Sequence, residues 1–330
     1  MTHNQMSRRR FIGITAAAAG LPLLPLRHAS AAAGLAIWRG TALGAPATLQ
    51  IHHQNAREAE QLLKLSVREL RRLEAMFSLY RDDSALVEMN RRGVMVAPPW
   101  ELVDLLEQCG RYVAATGGRF DPTVQPLWDV YARHFAKPDA APSGPPAVAI
   151  EEARRLIGWE HVLVKADRIV LGRRGMALTL NGIAQGYVTD RIADLLRAAG
   201  ISRSLIDLGE ARALGSHPGG RPWLIGLADP IHPERVIDEV ELVDGALATS
   251  APYGFRFDPQ GRFNHLFEPS SGGSADRYDS VSVQTRRATE ADALSTAFSF
   301  LSPGEMRRIL HALGGGRAYV TTREGSRLTL

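Results

Sequence analysis

With 330 residues, 45% of them hydrophobic and 22% charged, the chain is long enough for one large domain, or two closely packed lobes, around a real core, and its composition excludes a disordered or fibrous protein. The formal net charge of +4 is carried wholly by Arg8, Arg9, Arg10 and Arg27, in a first segment without Asp or Glu. The remaining body is therefore neutral, and neither nucleic acid nor an acidic membrane surface is expected as a partner.

The chain opens on Ser7-Arg8-Arg9-Arg10-Phe11-Ile12, a twin-arginine pattern, followed by a mild apolar stretch from Ile12 to Leu26 and an Ala29-Ser30-Ala31 cleavage signal. Residues 1–33 thus read as a twin-arginine signal peptide, and export of the folded chain to the periplasm is expected. Pro22 and Pro25 make the stretch a poor membrane span, and no Cys follows it to take a lipid, so no stable membrane anchor is expected.

Residues 34–330 read as the folded domain. Leu35–His52 has strand character, and Ala56–Phe77 a long helical pattern with Leu62, Leu65, Leu70, Leu73 and Phe77 near one face. Ser84 caps a second helix to Asn90, and a third runs from Trp100 to Thr116 before Gly117-Gly118. This third helix holds Cys109, the single cysteine, which rules out an intramolecular disulfide and reads as a small buried residue. The four prolines of 138–146 mark a surface loop. Beyond it come a helix at 150–157, a hairpin of Val162–Val164 with Arg168–Leu171, and a strand at Ala177–Leu180. Gly186–Ala199 follows as an amphipathic helix. Strands are expected at Ile201–Asp207, Trp223–Leu227, Val236–Leu242 and Ser280–Gln284, and helices at Ala288–Leu301 and Pro303–Leu313. Helices mixed with strands on short turns imply an α+β layered fold, with mixed or antiparallel sheets packed against helices.

Five stretches have the residue types for chemistry, and each also has a plainer reading. Asn181-Gly182-Ile183-Ala184-Gln185-Gly186-Tyr187 joins a strand to a helix whose first N–H groups suit phosphate, but a glycine-bearing turn is more often only a turn. Asp292 and Thr296, four apart, share a helix face and offer hard oxygens to Mg²⁺; the plainer reading is an acid favouring the helix dipole. His265, before the turn at Pro269, is a possible proton acceptor or a hydrogen-bonded turn residue. Gly118-Arg119-Phe120-Asp121-Pro122-Thr123 forms a loop after a helix, and Tyr80 at the end of the long helix has a face for a planar ring.

Taken in order, these stretches resemble the ApbE family, the FAD:protein FMN transferases, from about Trp38 to Pro303. The resemblance rests on Arg39-Gly40-Thr41, Phe77-Ser78-Leu79-Tyr80-Arg81 with Asp83-Ser84 and Met89-Asn90, and the run from Gly118 to Pro126. It continues through Gly182-Ile183-Ala184-Gln185-Gly186-Tyr187 with Asp190, Asp207-Leu208-Gly209-Glu210, Ala248-Thr249-Ser250, Asn264-His265 and Asp292-Ala293-Leu294-Ser295-Thr296. The sequence departs from the family pattern at Gln185 for Lys, Asn181 for Gly, Thr179 for an acid and Gly209-Glu210 for Gly-Gly-Asp. The leader and the Trp38-Arg39-Gly40 start resemble the branch associated with nitrous-oxide respiration.

The resemblance implies an active site in a cleft between two lobes and FAD as donor. Mg²⁺ would be held by Asp292, Thr296 and the Ala184 carbonyl, and His265 would be the base. Tyr80, Asp121, Thr123, Gly182, Gln185, Asp190, Glu210 and Ser250 would be flavin or adenine neighbours. The acceptor would be a Ser or Thr of an exported or membrane-bound FMN-binding-domain protein. Two other readings share these residues: an Mg²⁺-dependent FAD pyrophosphatase and a non-catalytic flavin carrier.

Overall fold

The computed structural model describes residues 35–330. The predicted signal segment lies outside the described residues.

The centre is an eight-stranded antiparallel sheet in the order β1-β2-β6-β7-β10-β11-β12-β13. Its strands are β1 (Leu35–Ala42), β2 (Ala45–His52), β6 (Ser204–Asp207), β7 (Ala211–Leu214), β10 (Ala246–Ser250), β11 (Tyr278–Thr285), β12 (Arg317–Thr322) and β13 (Arg327–Thr329). Strand β6 is buried on both faces: Ile206 joins the main core, while Leu205 joins a second cluster with Ala211, Ala213 and Leu247. That second face is covered by the hairpin of β8 (Trp223–Ala228) and β9 (Val236–Leu242) through Trp223, Val240 and Leu242. Successive strand residues point to opposite faces, so a strand covered on both sides shows an apolar run without alternation.

Eight α-helices are described, α1 (Ala56–Phe77), α2 (Ala85–Arg92), α3 (Trp100–Ala115), α4 (Gln125–Phe135), α5 (Ala147–Arg154), α6 (Ala184–Ala198), α7 (Ala288–Phe298) and α8 (Pro303–Ala312). Asn55 starts α1 by accepting hydrogen bonds from the backbone N–H groups of Arg57 and Glu58 at 3.0 and 3.3 Å. The helix buries Ser66, Leu70, Leu73 and Phe77, whereas Leu65, expected on the inner face, stays exposed. The spacing of 66, 70, 73 and 77 defines the inner stripe, and Leu65 sits about 100° from Ser66 around the axis. Ser84 caps α2 through the Val87 N–H at 3.0 Å, as its sequence predicts.

A second, three-stranded sheet, β3 (Val94–Val96), β5 (Arg168–Leu171) and β4 (Val162–Val164), lies in the order β3-β5-β4. The predicted hairpin is β4 with β5; the added strand β3 was not legible, being three residues long. Ala177–Leu180, predicted as a strand, pairs with none. The Leu178 N–H and C=O bond to the side-chain amide of Asn90 at 2.7 and 2.8 Å, and the Thr179 N–H goes to the Pro122 carbonyl at 2.8 Å. One side chain and one loop replace the neighbouring strand, which satisfies the same backbone groups without a ladder. No element is predicted from sequence for Gln125–Phe135, the segment of α4, yet Leu127 and Tyr131 recur at helical spacing and pack with Ala153 and Phe267 in a small satellite core.

Candidate active site

The end of α1, the loop before α4, the start of α6, the end of β10, the loop carrying His265 and the middle of α7 converge on one cleft.

Helix α6 begins at a tight turn in which the Leu180 carbonyl accepts from the Ile183 and Ala184 N–H groups at 3.1 and 2.7 Å. The next helix packs directly on it. A Cβ at Gly186 would lie 2.2 Å from the Ala288 carbonyl oxygen, so only glycine permits this approach. The closeness lets the Gly186 N–H donate to Asp292 Oδ2 at 2.9 Å. One N–H of the predicted phosphate-binding helix start is therefore engaged by the carboxylate of α7.

Asp292 and Thr296, one turn apart on α7, both face the cleft. Thr296 Oγ1 lies 3.4 Å from Ser250 Oγ, which also meets Ser295 Oγ at 2.8 Å. A Cβ on Gly182 would come within 2.9 Å of Thr296 Oγ1, so the turn packs against the threonine hydroxyl. Burial pushes Asp292 up to about 7 against the lowering effect of the Gly186 N–H. Burial, and next the charges of Asp292 and Asp207, hold Glu210 well above the usual carboxylate range, and burial pushes Asp207 up to about 6. No Arg or Lys makes an ion pair with any of these three acids among the described residues, and the buried Glu210 Oε2 has no hydrogen-bond partner. Crowded carboxylates beside hydroxyls form a hard-oxygen set with negative charge left uncompensated. Such a set fits Mg²⁺. A cluster of three or more His, Cys, Asp or Glu arranged for a metal is not found among the described residues, so the fit rests on the mixed carboxylate and hydroxyl donors.

His265 lies in the same cleft, partly accessible. Its Nδ1 is 3.3 Å from the Phe255 carbonyl oxygen. A carbonyl only accepts, so Nδ1 carries the proton and Nε2 is left as the basic nitrogen. The surrounding protein pushes its pKa down to about 4, and the ring is neutral at pH 7.

The other predicted residues divide in two. Tyr80, Asp121, Gly182, Ala184, Gln185, Glu210 and Ser250 line the cleft. Tyr80 Oη accepts from Asn181 Nδ2 at 3.4 Å. Thr123 and Asp190 lie outside its wall. Thr123 donates from N and Oγ1 to Asp121 Oδ1 at 2.8 and 2.7 Å and accepts from the Gly158 N–H at 2.9 Å, fixing the loop that presents Asp121. Asp190, almost fully buried, accepts from the N–H groups of Ala288 and Thr289, 3.1 and 2.9 Å away, at the start of α7. Sequence reading assigned no role to Trp128, a cleft residue carried by the unrecognised α4. The four-residue spacing of Leu127 and Tyr131, which places Trp128 on the same helix, was the available signal.

Residues 43–320 match the model of the ApbE family. The chain belongs to the ApbE family. It is 31% identical over 237 residues to an FAD:protein FMN transferase of Vibrio cholerae, covering 70% of each chain, and 31% identical over 252 residues to one of Treponema pallidum, covering 69% of this chain and 68% of that one. The crystal structure of the ApbE protein of Thermotoga maritima superposes with a TM-score of 0.78 at 27% identity, over 89% of this chain and 96% of that one. The apo flavinyl transferase ApbE of Pseudomonas stutzeri gives 0.74 at 28% identity, over 90% and 94%. Two departures of this ApbE chain meet in space. The Gln185 side chain lies over Gly209, where a Cβ would stand 2.4 Å from its Nε2, beside Glu210. The buried Gln185 Nε2, like Glu210 Oε2, has no hydrogen-bond partner.

Proposed function

We propose that this ApbE chain transfers FMN from FAD to a Ser or Thr hydroxyl of an exported protein. The single observation that carries this reading is the His265–Phe255 contact, which leaves Nε2 of a neutral imidazole as proton acceptor in the same cleft as the Asp292/Thr296 oxygens. His265 Nε2 takes the proton of the acceptor hydroxyl. The hydroxyl oxygen forms a bond to the FMN phosphorus while the bond from that phosphorus to the bridging oxygen of the diphosphate breaks. AMP leaves with the bridging oxygen, and the imidazolium releases its proton to solvent. No redox change occurs. Asp292, Thr296 and the Ala184 carbonyl would hold Mg²⁺, which supplies charge neutralisation on the diphosphate when bound. Tyr80, at the mouth of the cleft, offers a stacking face to the flavin.

The twin-arginine pattern supports a periplasmic site of action, with a membrane-bound FMN-binding-domain protein as acceptor. The likeness of the leader and the Trp38-Arg39-Gly40 start to the nitrous-oxide branch supports a place in maturation or electron supply for that respiration.

The test is to incubate the mature chain with FAD, Mg²⁺ and an FMN-binding domain and to weigh the acceptor. A gain equal to one FMN phosphoester is expected, with stoichiometric AMP. Free FMN released without any gain on the acceptor would assign hydrolysis instead.

A further inference from the structure

Beside the active cleft runs a second groove, lined by Phe135, Pro142, Ile231, Phe255, Arg256 and Phe257 among others. The two share a wall. The Phe255 carbonyl holds His265 Nδ1, and Trp128 of the cleft lies 6.4 Å from the Phe255 ring and 5.9 Å from that of Phe257. At the groove rim the β8–β9 turn presents Ile231 with 76% of its surface exposed. The turn is built: the Asp229 carboxylate accepts from the N–H groups of Ile231 and His232 at 2.8 and 3.2 Å. Leaving a large aliphatic side chain in water on an ordered turn forgoes the free energy of burying it, which a partner recovers.

The charges on the groove are asymmetric. Asp258 is buried and engaged by Arg262 Nε at 3.2 Å and by the Phe263 N–H at 2.9 Å. Arg256 is exposed and makes no ion pair among the described residues. What remains for a partner is an apolar trough with one uncompensated cation.

We infer that this groove docks the acceptor protein, taking an apolar stretch with an acidic residue next to the Ser or Thr that enters at His265. This rests on the proposed transfer. With FAD occupying the wall from Tyr80 to Asp292, the polypeptide bearing the hydroxyl has to lie against the surface that flanks His265, and the groove is that surface, continuous with the cleft through Phe255. Ile231 and Arg256 are specificity residues for the acceptor and touch neither FAD nor the reacting atoms.

The experiment uses the mature chain and, as probe, an isolated FMN-binding domain that the wild type flavinylates. Ile231→Asp and Arg256→Glu are each expected to raise the KM for the acceptor about tenfold or more, with kcat at saturating acceptor, FAD affinity and thermal midpoint unchanged. Val96→Asp, at an equally exposed apolar position of the three-stranded sheet, should leave the acceptor KM unchanged. Raising the salt concentration should weaken acceptor binding by the wild type more than by Arg256→Glu. Both groove variants keeping a wild-type acceptor KM would overturn the docking assignment while leaving the transfer reading intact. Failure of the wild type to flavinylate any FMN-binding domain would overturn the transfer reading, and the docking assignment with it.

Discussion

Asp190 of α6 holds Thr289 of α7 by two hydrogen bonds, 2.9 Å to its N–H and 2.7 Å to its hydroxyl. The same carboxylate faces Arg212 Nε at 3.4 Å and Arg287 Nε at 3.2 Å. An acid outside the cleft thus caps and orients the helix that carries Asp292 and Thr296 into it. Asp190→Ala leaves Arg212 buried without its carboxylate and uncaps α7. We expect a loss of about 3–5 kcal/mol of stability and a higher Mg²⁺ concentration for half-maximal transfer, checked by denaturant unfolding and a metal titration. An unchanged metal requirement in the folded variant would sink the positioning role.

Glycine replacement should have opposite signs at two helix positions. At Gly186 a methyl group meets the Ala288 carbonyl at 2.2 Å, so Gly186→Ala forces α6 and α7 apart. The expected cost is about 1–3 kcal/mol, with loss of transfer because Asp292 moves with α7. At Gly304, in the first turn of α8, a Cβ meets nothing within 4 Å. Gly304→Ala should stabilise by about 0.4–1 kcal/mol without changing activity. Thermal midpoints of the two proteins decide it.

In the proposed reading, Asp292 trades stability for metal binding. Its carboxylate is buried with no cationic side chain paired to it, and burial pushes it up to about 7. Asn at this position keeps an oxygen for the Gly186 N–H and removes the charge. Metal-free Asp292→Asn is therefore expected to be more stable than the wild type by roughly 0.5–2 kcal/mol at pH 8. Added Mg²⁺ should stabilise the wild type by about 2.7 kcal/mol at a hundred times its Kd, raising its unfolding midpoint, and leave the variant's midpoint where it was. Chelation should stop transfer by the wild type. A metal-induced shift retained by Asp292→Asn would remove this residue from the metal site.

The neutral His265 gives a pH signature. Folding lowers its pKa from 6.5 to about 4, so the unfolded chain binds more protons between those values. Stability is therefore lost as pH falls from about 6.5 to about 4, and this contribution is complete below the folded value. Replacing His265 by Gln removes this contribution alone, while the raised carboxylates remain common to both proteins. From pH 7.5 to 4.5 the wild type should lose more stability than His265→Gln, as read from urea midpoints. Parallel losses would contradict a neutral imidazole at position 265 in the folded chain. Transfer by His265→Gln should fall by about 10²–10⁴-fold at pH 7.5.

Local signals made much of the helical frame readable. The caps at Asn55 and Ser84 and the stripe of Leu70, Leu73 and Phe77 are short-range features, satisfied within a few residues of chain. The hairpin β4–β5 was legible for the same reason. Where the reading failed at Ala177–Leu180 and Asp190, the partner lies far away in sequence; at β3 and β7 a short strand or two covered faces hide the pattern. Ala177–Leu180 carries a strand's pattern, but Asn90, 88 residues before Leu178, takes its backbone bonds. Strand β7 is buried on both faces and shows no alternation. Asp190 reads identically in sequence whether it meets a ligand or caps a helix nearly a hundred residues away.

The sequence by itself determined the α+β class, the neutral charge of the body behind a basic first segment, the pairing of Asp292 with Thr296 on one helix face, and the resemblance that brought His265, Gln185 and Glu210 to notice. Hydrophobic periodicity and helix spacing are properties of neighbouring residues, which is why they survive without a fold. Only the tertiary structure decided which nitrogen of His265 is basic, that Gln185 and Glu210 stand together with unpartnered polar atoms, and that an aromatic groove continues from the Phe255 carbonyl to an exposed Ile231. Each of these depends on the electrostatic surroundings and hydrogen-bond partners that long-range packing alone supplies.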